Sequence, residues 1–232
     1  MMANIESAAI GRYTRVAIAL HWLIAAFIVY NLVSGWYIAE LPSIFRDFHV
    51  SAGLTVLILT LARIGWRLLH RPPPHDDALK PWEKGLANLT HICLYAGMLV
   101  LPLTGWITIS LNPLPGSEGA AYLEAMKARV AIASGHAPAP RHPPLTFWRI
   151  TKIPRITPLQ RLGARPEDVP SQLKWHDNVA KSHEISAIIL LLLLALHLAG
   201  ALKHEWFDGR PQLRRMGLPG RHKARGEITD PA

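Results

Sequence analysis

Histidines are the residues best suited to chemistry in this chain, which contains twelve of them and a single cysteine, Cys93. Four fall within or at the edges of long apolar runs: His21, His49, His183 and His197. An ionisable side chain in such a run is costly and needs a reason. One cysteine cannot form an internal disulfide, a four-cysteine zinc site or an iron–sulfur cluster. Neutral imidazole binds iron and other transition metals, so the pattern indicates ligation by histidine.

The composition indicates a membrane protein. The 232 residues are 50% hydrophobic and only 18% charged, with a formal net charge of +9. Ordinary soluble domains carry roughly 25% charge and rarely contain long apolar runs. An ordinary soluble enzyme and a disordered chain are therefore excluded. In a membrane protein, excess Lys and Arg set the orientation and contact lipid headgroups. We therefore expect the basic residues to contact membrane lipid and not nucleic acid.

Four stretches have the length of roughly 20 mostly apolar residues that a helix needs to cross a bilayer. They cover residues 16–38, 50–69, 89–111 and 183–202. They predict an all-α, integral-membrane four-helix bundle that occupies residues 12–205, followed by a basic tail at 206–232. A long Pro-rich loop, 112–182, joins the third helix to the fourth. Pro102 predicts a kink in the third helix unless neighbouring helices absorb it.

The distribution of basic residues predicts the orientation. Fourteen Lys and Arg lie on the side of the two termini, whereas the short first connection has only Arg46. Both termini are therefore expected in the cytoplasm. The loop 112–182 carries ten Lys and Arg on the outer side, but long loops escape this rule. Its basic residues either contact headgroups or attract an anionic reactant.

The histidines in the apolar runs form two predicted pairs. The fourteen residues from His183 to His197 span about 21 Å of helix, and both side chains face nearly the same way. His197 is then level with His21, and His183 is level with His49. A haem takes axial ligands on both faces of its ring, so two pairs predict two stacked haem b groups in the bundle. The alternative is that these histidines bond between helices or line a proton path.

His91, near the cytoplasmic start of the third span, has several interpretations. It could be an alternative ligand, a hydrogen-bond partner of a quinone or a haem propionate, or a bridge between helices. In the outer loop, residues 117–133 predict a short helix with Ser117 as N-cap. Residues 135–170 are rich in proline and predict an irregular segment.

The chain resembles the bacterial di-haem cytochrome b561 family. The matching segments are RYTRVAIALHWLIA, FHVSAGLTVLILTLARIGWRL, GLANLTHICLYAGMLVLPLTGW, SHEISAIILLLLLALHLAGALKHEWF and LRRM. The resemblance implies haem ligation by His21, His49, His183 and His197, a bacterial inner membrane and quinone chemistry. In some members it implies oxidation of superoxide with reduction of ubiquinone. The loop before the fourth span is longer than in compact members.

The residues and the resemblance together lead us to expect a membrane-bound electron-transfer protein with two haem b groups. It would pass electrons from an outer-side donor, with superoxide as a candidate, to the quinone pool, with ubiquinone as acceptor. As an enzyme it would be a superoxide:quinone oxidoreductase. The alternative is a haem-bearing anchor subunit that carries electrons for a partner dehydrogenase or hydrogenase. A haem-free transporter or scaffold is a third interpretation.

Overall fold

The computed structural model of the chain describes residues 13–70, 80–137, 144–209 and 212–219. Its long helices are α1 (Arg15–Trp36), α2 (Ser43–Leu69), α3 (Pro81–Ser110) and α6 (Val169–Trp206). Between α3 and α6 lie α4 (Glu118–Ala133), β1 (Thr146–Phe147), β2 (Thr151–Lys152), α5 (Thr157–Arg161) and a 3₁₀ turn (Pro166–Asp168). Helix α7 (Gln212–Arg215) follows α6.

The four long helices form an antiparallel bundle in which α1 packs on α2, α2 on α3, and α3 on α6. We call the end that carries the connections α1–α2 and α3–α6 the loop end, and the end that carries both chain termini the terminal end. A small apolar core lies between the two ends: Ile24, Ile28, Val56, Leu94, Met98 and Leu190. The buried apolar core therefore occupies the middle of the bundle and does not extend to either end.

The outer faces of the long helices are apolar. Side chains that are more than half exposed include Val33, Ile58, Leu61, Ile92 and Leu192. All four helices are long and apolar enough to cross a membrane, which confirms the four predicted spans. Such faces suit lipid rather than water.

The connection between α3 and α6 differs from the irregular loop that the prolines predicted. Over the described residues 144–168 it contains a two-stranded antiparallel pair, a short helix and a 3₁₀ turn; residues 138–143 lie outside the described part. Helix α4 begins at the predicted cap, where the Ser117 hydroxyl accepts a hydrogen bond from the Ala120 amide at 3.2 Å. The irregular interpretation was wrong for 144–168 because packing on the bundle orders the segment.

Helix α6 begins fourteen residues before the predicted start of the fourth span. Its 38 residues are about 57 Å long, whereas the hydrocarbon core is about 30 Å thick. The first turns therefore project beyond the apolar zone at the loop end. They are anchored by Gln172, which is 1% exposed and donates from Nε2 to the Leu159 carbonyl at 2.8 Å. Hydropathy could not reveal these turns because their sequence is polar.

Candidate functional site at the two ends of the bundle

The loop-end pair consists of His49 from α2 and His183 from α6. Their ring centroids are 6.4 Å apart and their planes make an angle of 68°. A metal–imidazole bond is about 2 Å long, so two imidazoles bound through Nε2 on opposite sides of one metal have centroids roughly 6 Å apart. The loop-end pair fits that arrangement.

Hydrogen bonds hold the Nδ1 atom of both loop-end imidazoles. His49 Nδ1 lies 2.9 Å from the Ser34 hydroxyl of α1. His183 Nδ1 lies 3.0 Å from the Leu101 carbonyl and 3.0 Å from the Thr104 hydroxyl, both on α3. Because a carbonyl only accepts, His183 carries its proton on Nδ1 and keeps its lone pair on Nε2. The Nε2 atom is then the one available for iron.

Two glycines allow the neighbouring helices to approach these rings. A Cβ at Gly35 of α1 would lie 3.0 Å from His49 Cε1, and one at Gly105 of α3 would lie 3.1 Å from His183 Cε1. Both distances are tighter than ordinary van der Waals contact. Each loop-end imidazole is thus packed against the backbone of a glycine, and the residue before that glycine holds the ring with its hydroxyl.

A cavity of about 580 Å³ opens between the loop-end imidazoles. His49 and His183 line it together with apolar side chains such as Leu54, Ile109 and Ile188. The size is in the range of small-molecule and cofactor sites, and an apolar wall with two convergent nitrogens suits a porphyrin held by its iron. The donor set and the space therefore fit a haem.

The terminal-end pair consists of His21 from α1 and His197 from α6. Their ring centroids are 6.2 Å apart, with an interplanar angle of 71°. The two pairs thus have nearly the same geometry at opposite ends of the bundle. His91 of α3 also lies at the terminal end, with its ring centroid 5.3 Å from that of His197. This contact joins α3 to α6 beside the terminal-end pair.

The terminal end is covered by the segment after α6. The indole nitrogen of Trp22, next to His21, donates to the Met216 carbonyl at 2.9 Å. The amide of Tyr13 donates to the Arg215 carbonyl at 3.4 Å, and the Arg215 guanidinium lies 5.9 Å from the centre of the Tyr13 ring. Residues 212–219 therefore fold back against the start of α1.

Within the described ranges, no group of three or more His, Cys, Asp or Glu side chains is placed to hold a metal ion by itself. Each histidine pair offers two imidazoles, which is the number that haem takes axially from a bis-histidine protein.

Sequence reasoning found the histidines but missed the residues that hold them. Ser34-Gly35-Trp36 in α1 and Thr104-Gly105-Trp106 in α3 repeat one pattern, a hydroxyl, a glycine and a tryptophan. In both tripeptides the hydroxyl contacts a histidine Nδ1, the glycine approaches that ring and the tryptophan lines the cavity. The repeat itself is the signal that could have found them.

A family model described as prokaryotic cytochrome b561 matches residues 12–218. The chain is 33% identical to cytochrome b562 of Cereibacter sphaeroides over 106 residues, which are 40% of this chain and 66% of the relative. It is 25% identical to cytochrome b561 homolog 2 of Escherichia coli over 116 residues, 45% of this chain and 58% of the relative.

A third relative is the probable superoxide oxidase CybB of Yersinia pestis, 28% identical over 102 residues, which are 40% of this chain and 56% of that protein. In all three comparisons the chain spans less than two thirds of the relative's own length.

Proposed function

The chain belongs to the prokaryotic cytochrome b561 family of integral-membrane haem b electron-transfer proteins, and we propose that it holds two haem b groups, one at each histidine pair. His49 and His183 are the axial ligands at the loop end, and His21 and His197 are those at the terminal end. The observation that carries the proposal is the nearly equal spacing of the two pairs, 6.4 and 6.2 Å between ring centroids. Bound haem supplies reversible one-electron transfer at its iron.

The rest of the chain positions these ligands. Ser34, Leu101 and Thr104 fix the loop-end imidazoles through Nδ1, and such second partners also raise the basicity of the ligand. The lining of the loop-end cavity is mostly apolar, so it limits access of water to the electron carrier.

The reaction we propose is oxidation of superoxide at the loop end with reduction of ubiquinone in the membrane. Two superoxide ions each lose one electron and become dioxygen, and one ubiquinone takes up two electrons and two protons. The support is the likeness to a probable superoxide oxidase and the exposed basic residues of the loop-end connection, Arg149, Lys152, Arg161 and Arg165.

In the proposed orientation the terminal end faces the cytoplasm of the bacterial cell and the loop end faces outward across the inner membrane. The support is the concentration of Lys and Arg near both termini, because the cytoplasmic segments of membrane proteins carry an excess of these residues.

The first test is the haem content of the purified protein and of single variants. The wild type should hold close to two haem b per chain, both extractable by acid acetone. His49→Ala or His183→Ala should remove the loop-end haem alone, and His21→Ala or His197→Ala the terminal-end haem alone. His136→Ala, at an exposed position after α4, is the matched control and should keep both.

Two results would contradict the ligand assignment. One is a wild-type protein with fewer than two haems after haem-replete expression. The other is loss of a haem in His91→Ala but not in His21→Ala, which would make His91 the ligand at the terminal end.

The second test mixes the purified holoprotein with superoxide and a soluble ubiquinone. Superoxide-dependent formation of the quinol by the isolated protein supports the proposed reaction. Reduction of quinone only after addition of a partner dehydrogenase or hydrogenase would instead indicate the anchor-subunit function.

A further inference from the structure

Arg63 carries a charge inside a membrane span of this protein. The residue lies in α2, six positions before its end at Leu69, and its Nε donates to the Tyr95 hydroxyl of α3 at 2.9 Å. Its NH1 atom is buried and has no hydrogen-bond partner within the part of the chain that the structure describes. None of the ion pairs formed among those residues includes Arg63. A half-buried guanidinium in a span, with one buried nitrogen that has no partner among the described residues, is costly and indicates a function.

Arg63 lies in the half of the bundle that holds the terminal-end pair. Its partner Tyr95 is one turn along α3 from His91, whose ring centroid lies 5.3 Å from that of His197. One turn before Arg63 on α2, the fully buried Thr60 also has a hydroxyl oxygen without a partner among the described residues. Thr60 and Arg63 therefore place polar and positively charged groups in the half of the bundle that holds the terminal-end pair.

The loop-end cavity has no such fixed charge. Its described lining contains no Lys or Arg, and its carboxylate Glu184 is exposed and pairs with Lys181 at 2.9 Å. Solvent and salt screen the charge of the exposed basic residues of the loop-end connection. Adding one electron to a bound haem adds one negative charge, and a fixed positive charge nearby stabilises the reduced form when the medium between them is poorly polarisable. The two ends of the bundle therefore differ electrostatically in a way that affects where an electron resides.

We propose that Arg63, clamped by Tyr95, is a positioning residue that raises the reduction potential of the terminal-end haem and makes that site the preferred electron acceptor of the two. The proposal rests on the two-haem function above. Each transfer oxidises the loop-end site by one electron and reduces the terminal-end site by one electron, and no bond is formed or broken.

The experiment is a spectroelectrochemical titration of the purified holoprotein and of variants that also carry His49→Ala, in which only the terminal-end haem remains. Arg63→Gln should lower the midpoint potential of that haem. In the two-haem protein it should shift the electron partition toward the loop end by roughly tenfold, equivalent to about 59 mV for one electron. Arg67→Gln is the matched control, because it removes the same charge from an exposed position one turn away on α2 and should leave the potential unchanged.

Further variants separate the charge from a structural role. Arg63→Lys should restore most of the potential lost in Arg63→Gln, and the effect should persist at high salt because a buried charge is poorly screened. If Arg63→Gln fails to hold the terminal-end haem, Tyr95→Phe is the deciding variant. It keeps the charge of Arg63 and removes the hydrogen bond that holds the guanidinium in position. A lower potential in Tyr95→Phe then supports the inference, and an unchanged potential refutes it.

An unchanged potential in a fully loaded Arg63→Gln protein would also overturn the inference. Failure of the underlying function would look different, because the wild-type protein itself would then contain fewer than two haems.

Discussion

An axial histidine must present Nε2 at a fixed angle, and a single hydrogen bond at Nδ1 goes far toward fixing both ring orientation and tautomer. In this protein the two loop-end histidines differ in that respect. His49 has one described partner at Nδ1, the Ser34 hydroxyl, whereas His183 has two, the Leu101 carbonyl and the Thr104 hydroxyl. The two ligands should therefore respond unequally to loss of a hydroxyl.

Ser34→Ala should weaken haem binding at the loop end more than Thr104→Val does. Loss of a second partner of a ligating histidine typically costs about 10–100-fold in affinity, and the Leu101 carbonyl continues to hold His183 in Thr104→Val. The rate of haem transfer to apomyoglobin measures the effect. Ser182→Ala is the control, because that hydroxyl donates to Asn178 in its own helix. Equal rates for Ser34→Ala and Thr104→Val would contradict the unequal roles.

Gly105 is required by space rather than by backbone conformation. An alanine Cβ at this position would lie 3.1 Å from His183 Cε1, so the ring has to move by a few tenths of an ångström. Overpacking of this kind costs about 1–3 kcal/mol. Gly105→Ala should lower the unfolding temperature of the holoprotein and alter the loop-end haem spectrum.

Gly85, on the same helix with nothing within 4 Å of an added Cβ, is the control for that substitution. Gly85→Ala should be neutral or stabilise by about 0.5–1 kcal/mol through helix propensity. If both alanine variants gained stability and kept the wild-type spectrum, Gly105 would have no role beside the ligand.

At the scale of elements, the strand pair β1–β2 is fastened to α2 close to His49. The Ser51 hydroxyl accepts from the Trp148 amide at 2.9 Å, and its single proton is shared between the Asp47 carbonyl at 2.7 Å and the Thr146 carbonyl at 3.1 Å. The Thr55 hydroxyl accepts from the Trp148 indole at 3.1 Å. Trp148 and Arg149 have φ of 48° and 62°, a left-handed conformation that costs about 1 kcal/mol or more per residue. These bonds offset that cost.

Ser51→Ala should release this strand pair from α2. It leaves the Trp148 amide without its acceptor, and each lost hydrogen bond costs about 1 kcal/mol. Limited proteolysis should cut residues 144–153 faster than in the wild type while the haem content stays unchanged. Thr151→Ala, at an exposed position of β2, is the matched control. Equal cleavage of the two variants would show that Ser51 does not hold the pair.

At the scale of the whole molecule, the sequence predicted what depends on periodicity and on chemical type. Four apolar runs predicted four spans because burial in lipid demands twenty apolar residues whatever the neighbours are. The helix geometry of α6 brought His183 and His197 to one face, and the structure places them opposite His49 and His21.

The remaining features depend on which elements become neighbours. The roles of Ser34 and Thr104 require knowing that α1 lies beside α2 and α3 beside α6, which no local pattern specifies. In the sequence, Arg63 is one of the basic residues that predict the orientation. Its hydrogen bond to Tyr95 of α3 shows that its side chain also contacts the neighbouring helix. The ordered strand pair was hidden because prolines mark breaks in a helix but do not show which short segment will pack against the bundle.

The distribution of charge over the loop-end surface leads to a prediction about rates. Four basic residues of the described connection at the loop end are exposed: Arg149, Lys152, Arg161 and Arg165. Arg141 belongs to the same basic stretch but lies outside the described residues. A positive surface around a reaction site raises the local concentration of an anion and therefore its second-order rate constant.

Replacement of these four residues by Gln should slow reduction of the haem by superoxide by roughly tenfold at low salt, the lower end of electrostatic steering effects. Surface charges are screened over about 8–10 Å at ordinary ionic strength, so the wild-type rate should fall with added salt while the rate of the variant stays nearly flat. Stopped-flow absorbance of the haem gives both rates, with the absorption spectrum and haem content as checks that the site is intact. The matched control replaces basic residues of the terminal end, Arg67 and Lys84, by Gln, and its rate should follow the wild-type salt dependence. If the four-residue variant reacts with superoxide as fast as the wild type in detergent, the basic surface serves lipid headgroups or a partner protein instead of capture of the anion.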